Sequence, residues 1–320
     1  MNRRHFGAAL IAGVMAIGSP LTAVADNTPV RIVVPFTAGS GSDEGARFYG
    51  NEISKVLGRP VIVDNRPGGS GLVAVRAVLS APADGTTILL GSNSLVAVNP
   101  VTVKDLAYDP FTELVPLHGL AVSAPGFLTG MDSGINSFKD VVAKYKKTGE
   151  PISIGNFSEG YALVSAWLCQ TLEIKCTLIR YKGGAQMMTD VIGGRLDLGV
   201  NSLSGVIELE KSNRLKILAI TGAERDKQLP HVPTMIELGY PGFETYVWSS
   251  FYMKTGTDPK VLVELAQVIA KVQQSEAAKA YQAQRAGKFL DKGLDELGKF
   301  QTVEYNRFKS VAEKAGISPK

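Results

Sequence analysis

Histidine and cysteine are scarce: the 320-residue chain holds three of the first and two of the second. His5, His118 and His231 lie far apart, and no pair has metal-ligand or triad spacing, which argues against zinc and Ser-His-Asp chemistry. His5 falls in the leader, His118 in the strand-like run 114–118, and His231 in a Pro-rich turn. A dominant charge is also lacking. Lys and Arg total 34 against 30 Asp and Glu, with no basic stripe, which excludes a nucleic-acid binder. There is no Walker loop and no Gly-x-Ser-x-Gly elbow. Beyond the N-terminal leader no apolar run approaches about 18 residues, so the mature chain is expected to be soluble. Its 45% apolar content is too high for a disordered chain.

What is present begins with an address. Arg3 and Arg4 precede a short apolar run over residues 7–18, and Ala23-Val24-Ala25 is a small-x-small cleavage site. Residues 1–25 therefore read as a cleaved signal peptide, and the mature protein as exported. Arg3-Arg4-His5-Phe6 resembles a twin-arginine signal, so Sec and Tat export both stay open. In an oxidising compartment Cys169 and Cys176 suit no zinc or Cys-x-x-Cys motif and read as a disulfide, with two buried free thiols as the alternative.

The rest of the chain alternates short β-branched runs with helical patterns, which predicts α/β layers and two domains. Strands are expected at 31–34, 61–63 and 86–90, then at 152–154, 176–180, 196–200 and 215–220, each followed by a helix or turn. Ser137-x-x-Asp140 and Asp258-Pro259 mark helix starts. Val261, Leu262, Leu265, Val268, Ile269 and Val272 follow at amphipathic spacing. A helical tail cannot build its own sheet and must pack on an earlier one. The expected division is a discontinuous lobe from 26–123 and 248–320, a second lobe over 124–247, and a hinge of two crossings near Ser123 and Val247.

Four segments share one design: residues 37–43, 67–71, 91–94 and 155–159 each follow a strand, are rich in Gly, Ser or Asn, and open a helix. At the carboxyl ends of parallel strands such loops gather into a ligand crevice. Helix N-termini carry unpaired N–H groups and positive potential, so several together form an anion site that hardly needs Lys or Arg. Gly39-x-Gly41-x-x-x-Gly45 is a poor dinucleotide fingerprint, because Pro67-Gly68-Gly69 closely follows Asp64, the one acid at the expected distance.

These loops also carry a resemblance. Residues 34–43, closing at Ala46-Arg47, followed by 57–71, Ala83-Asp84-Gly85, Tyr108-Asp109-Pro110, Tyr181-Lys182-Gly183-Gly184-Ala185, 229–234 and 237–242, together resemble the Bug-type receptors of tripartite tricarboxylate transporters. The resemblance implies a type II periplasmic-binding-protein fold with two lobes closing on a ligand. It implies a small carboxylate held by Phe36, Thr37, Gly39, Ser40, Ser42 and Asp43 and by Pro67, Gly68, Gly69 and Ser70. Further loops add Ser92, Asn93, Phe157, Ser158, Glu159, Lys182, Gly183 and Asn201. It also implies integral-membrane transporter subunits as partners. The protein is expected to be a periplasmic monomer without cofactor, metal or catalytic residue.

Two loops depart from the family pattern. Ser40 replaces a glycine. Glu159 stands near a Ser/Thr place and Ala162 replaces a histidine, so a second ligand carboxylate would be repelled unless Glu159 is paired. The expected ligand is then a monocarboxylate with an amino, hydroxyl or aromatic far end, on which Phe157 and Tyr161 could stack. The other readings are an orphan sensor and a hydrolase or lyase using Glu159 as base.

Overall fold

The computed structural model describes residues 28–314, 316, 317 and 319. The expected leader over residues 1–25 lies outside the described residues. The chain starts with β1 (Val30–Val34), α1 (Gly41–Leu57), β2 (Val61–Asn65), α2 (Leu72–Leu79), β3 (Thr87–Ser92), α3 (Asn99–Thr102) and β4 (Leu114–Ser123). A second series holds β5 (Pro125–Gly130), α4 (Phe138–Thr148), β6 (Ile152–Asn156), α5 (Glu159–Thr171), β7 (Cys176–Arg180), α6 (Gly184–Ile192), β8 (Leu198–Ser202), α7 (Ile207–Lys211) and β9 (Leu215–Ile220). The chain then returns through β10 (Val247–Lys254), α8 (Pro259–Gln274), α9 (Glu276–Ala283), β11 (Lys288–Phe289) and α10 (Leu294–Lys314).

Two sheets result. One has the order β11-β4-β10-β3-β1-β2 and the other β7-β6-β8-β5-β9. Both are mixed rather than purely parallel. β1 pairs in parallel with β2 and β3, and β6 with β7 and β8. The returning β10 runs antiparallel between β3 and β4, a placement that needs no crossover helix.

The central strands have both faces covered. Ile32 and Val34 of β1 join Tyr49, Ile53, Leu265 and Ile269 on one side, while Val33 joins Val75, Val78 and Phe308 on the other. The stripe read in the tail is buried as spaced, with Leu262, Leu265, Ile269 and Val272 inward. Asp258 caps α8 from the Lys260 N–H at 2.8 Å, with Pro259 in the first turn. The edge strands are less covered than the central ones: Ile62 on β2 is 51% exposed and Leu178 on β7 is 39% exposed. Each lies at the end of its sheet, where one side lacks a neighbouring strand.

The chain passes from the first sheet to the second with only Ala124 between β4 and β5, and it comes back at Val247, whose register partner is Ser123. A later segment approaches the second sheet as well. Ala286 packs in the cluster around Met188, Leu203 and Ile217, and the Gly287 N–H reaches Asp226 Oδ2 at 3.4 Å.

Cys169 near the end of α5 and Cys176 at the start of β7 form a disulfide, with Cα atoms 6.2 Å apart. Replacing both cysteines by serine is expected to lower unfolding free energy by about 2–3 kcal/mol for a loop this short, measured by urea denaturation.

Candidate functional site

The serines that open α1 and α5 act as caps. Ser40 Oγ accepts the Asp43 N–H at 3.2 Å, and Ser158 Oγ accepts the Tyr161 N–H at 3.5 Å. Each cap uses an oxygen lone pair and leaves its own O–H to donate elsewhere. The N-terminal ends of α1, α5 and α6 all border one cavity of about 450 Å³, through Gly41 and Ser42, Ser158, and Gly184 and Ala185. First-turn N–H groups have no partner within their helix, so these ends favour an anion.

A second cavity of about 320 Å³ adjoins the first, lined by residues 68–71 from one sheet's loops and by Arg180, Tyr181 and Lys182 from the other's. Phe36, Ser92, Ser94, Phe157 and Ser158 border both cavities. Phe36 and Phe157 meet edge to face with ring centroids 5.9 Å apart, and Phe157 leans on Tyr161 at 4.8 Å. Phe157 therefore links the other two rings.

Among the described residues no Asp or Glu side chain lines either cavity. Arg214 and Arg285 border the larger one, Arg180 and Lys182 the smaller. Leu90, Leu120, Met188 and Trp248 give the larger cavity an apolar wall. Ser92 Oγ, Ser123 Oγ and Trp248 Nε1, all from lining residues, have no hydrogen-bond partner in the protein. Burial pushes the Tyr161 hydroxyl up to about 12, so it stays neutral near pH 7. It accepts the Ser202 N–H at 3.0 Å and keeps its own proton to donate.

The family profile described as tripartite tricarboxylate transporter family receptor matches residues 46–317. The chain belongs to this family of periplasmic solute receptors. Protein BugT of Bordetella pertussis is 31% identical over 297 residues, covering 91% of this chain and 90% of BugT. The structure of the periplasmic binding protein BugD superposes with a TM-score of 0.86 at 27% identity, covering 91% of this chain and 99% of that one. R. palustris Rpa4515 with adipate gives the same TM-score of 0.86 at 28% identity, covering 92% and 99%.

In this receptor the larger cavity gathers Phe36, Gly39, Ser40, Ser42, Ser92, Asn93, Phe157, Ser158 and Asn201 from the sequence-derived set. Gly68, Gly69, Ser70 and Lys182 join the smaller one. Thr37, Asp43, Pro67, Glu159 and Gly183 line neither. Thr37 and Gly183 instead meet across the sheets: a Cβ on Gly183 would fall 2.3 Å from Thr37 Oγ1. The Gly160 N–H donates to Ser94 Oγ at 3.1 Å across the same divide. Residues 91–94 are not a plain loop, since Gly91 and Ser92 finish β3 and a π turn starts at Ser94. Gly155 and Asn156 likewise belong to β6.

Glu159 is paired, so the condition that would relieve its repulsion is met. Its carboxylate takes the Ser70 O–H at 2.8 Å and forms an ion pair with Arg180. Arg180 had a usable signal, since it closes the apolar run 176–180 directly before Tyr181-Lys182-Gly183. Tyr281, Gln282 and Arg285 line the larger cavity from the region of α9, and nothing local in the helical tail marks them.

Asp43 holds the first loop in shape. Its Oδ2 accepts the Gly39 N–H at 2.9 Å and Arg47 Nε at 3.0 Å. Burial alone would raise this carboxyl, but Arg47, the Gly39 N–H and Asn65 outweigh it and hold it below the ordinary 3.8. A depressed folded-state value gives stability that is present above 3.8 and lost as pH falls through the folded value. Asp43→Asn is therefore expected to cost about 2 kcal/mol at pH 7, from its charge-assisted hydrogen bonds, and progressively less as pH falls below 3.8, read from urea midpoints across that range.

Proposed function

We propose that this receptor captures a small carboxylate in the cavity between its two sheets and delivers it to the membrane subunits of a tripartite transporter. One observation carries this reading. Three helix N-termini and free serine O–H groups border a cavity whose wall holds no carboxylate side chain among the described residues. A negative group there meets unpaired N–H donors and positive helix ends with no like charge beside it. The apolar wall of Leu90, Leu120, Met188 and Trp248 suits the carbon body of the ligand. Adipate in Rpa4515, a protein 28% identical to this one, supports a carboxylate as the ligand class.

The two sheets are read as lobes, 26–123 with 248–320 and 124–247, that clamp the ligand without chemical change. The protein is read as an exported periplasmic monomer whose residues 1–25 are removed. The carboxylate lies against Ser40 and Ser42 of the first lobe and Ser158 and Asn201 of the second, so binding favours the closed form. Glu159 is not read as a general base, because Ser70 and Arg180 occupy its carboxylate.

A thermal-shift screen over mono- and dicarboxylic acids tests this reading. A matching acid at a hundredfold excess over Kd is expected to add about 2.7 kcal/mol of stability. Chemical analysis afterwards is expected to recover it unchanged. Ser42→Ala is expected to weaken that acid by about 1 kcal/mol, roughly fivefold in Kd, by titration calorimetry. No shift with any acid, or the appearance of a product, would refute the reading.

A further inference from the structure

Three side chains from the two sheets meet beside the smaller cavity. The Ser70 O–H donates to Glu159 Oε1 at 2.8 Å, Arg180 Nη1 donates to Ser70 Oγ at 2.6 Å, and Arg180 Nη2 pairs with Glu159 Oε1. Ser70 comes from the loop between β2 and α2, Glu159 from the first turn of α5, and Arg180 from the end of β7. Ser70 and Arg180 both line the smaller cavity, with Lys182 beside them.

Ser70 is held in place at a cost. Its φ of 54° is left-handed, in a run with Gly68, Gly69 and Gly71 at 123°, 55° and 90°, a region that non-glycine residues adopt only under constraint. The constraint is visible, because the Ser70 carbonyl accepts Asn99 Nδ2 at 3.1 Å, and that same amide donates to the Tyr108 hydroxyl at 2.9 Å. The serine hydroxyl is thus fixed from the core of the first sheet. Arg180 adds a planar fork of donors matched to a carboxylate. A fixed hydroxyl and a guanidinium, with Lys182 on the same acid-free wall, form an anion subsite, and the carboxylate that Ser70 and Arg180 hold belongs to the protein.

We propose that Glu159 is an internal stand-in for a ligand carboxylate. It occupies the Ser70–Arg180 subsite, holds the two lobes together before ligand arrives, and selects against ligands with a second carboxylate. This rests on the reading of the cleft as a carboxylate site. A simple surface ion pair would have its partners away from the cavity, whereas two of the three partners here form its wall. A second ligand carboxylate must displace Glu159 from charge-assisted hydrogen bonds and then sit close to it. A ligand with a neutral far end leaves the clasp intact.

Adipate and hexanoate share a six-carbon chain and differ by one carboxylate, so the ratio of their Kd values isolates the second charge. Calorimetry on the wild type, Glu159→Gln, Arg180→Gln and the double variant reads that ratio. Glu159→Gln is expected to shift it toward adipate by about tenfold. Arg180→Gln alone is expected to shift it toward hexanoate, and the double variant to lose the gain seen in Glu159→Gln. A Glu159→Gln ratio within twofold of wild type, or shifted toward hexanoate, overturns the proposal. Small-angle scattering of the ligand-free proteins gives a readout independent of ligand. Glu159→Gln is expected to enlarge the radius of gyration relative to wild type, and an unchanged radius overturns the clasp. If no carboxylate binds any of the proteins but the radius grows, the carboxylate-receptor reading fails while the clasp stands.

Discussion

The first N–H groups of a helix have no partner inside it, and here the beginnings of α1, α5 and α6 border a single cavity. Much of the surrounding arrangement follows from that constraint. Serine caps satisfy one donor at α1 and one at α5 and leave their own O–H groups free to donate. Carboxylates are absent from the described wall, and two acids of the bordering loops are spoken for: Asp43 by Arg47 and the Gly39 N–H, Glu159 by Ser70 and Arg180. Positive potential is thus left uncancelled at the cavity. A net charge of only +4 over the chain is compatible with this, because the field comes from oriented backbone dipoles rather than from a surplus of lysine.

Elements governed by local pattern were legible in the sequence. The β1, β7 and β9 runs, the Ser137 and Asp258 caps, and the inward stripe of α8 all depend on residues within one or two turns of each other. The loops rich in Gly and Ser could be recognised for the same reason, and most of the residues picked from them do border the two cavities. Relations between distant segments were not readable. Nothing near residue 250 announces that β10 will insert antiparallel between β3 and β4. Nothing near residue 281 announces a cavity wall. The Glu159–Arg180–Ser70 contacts join residues 89 and 110 positions apart from the serine, so the sequence showed an isolated acid where the fold makes a shared one. Individual residues within a correct loop also divided by role: Ser40 and Ser42 border the cavity, while Asp43 turns to its own loop.

Placement of the disulfide bears on the same region. α5 begins with Glu159 and ends near Cys169, and β7 begins with Cys176 and ends with Arg180. The covalent bond joins the near ends of a helix and a strand whose far ends carry the acid and the guanidinium. Helix, bond and strand make a stiff U-shaped bracket, with the charged pair across its open end. The bond therefore ties the helix that positions Glu159 to the strand that positions Arg180, so the two charges approach Ser70 from one covalently closed unit.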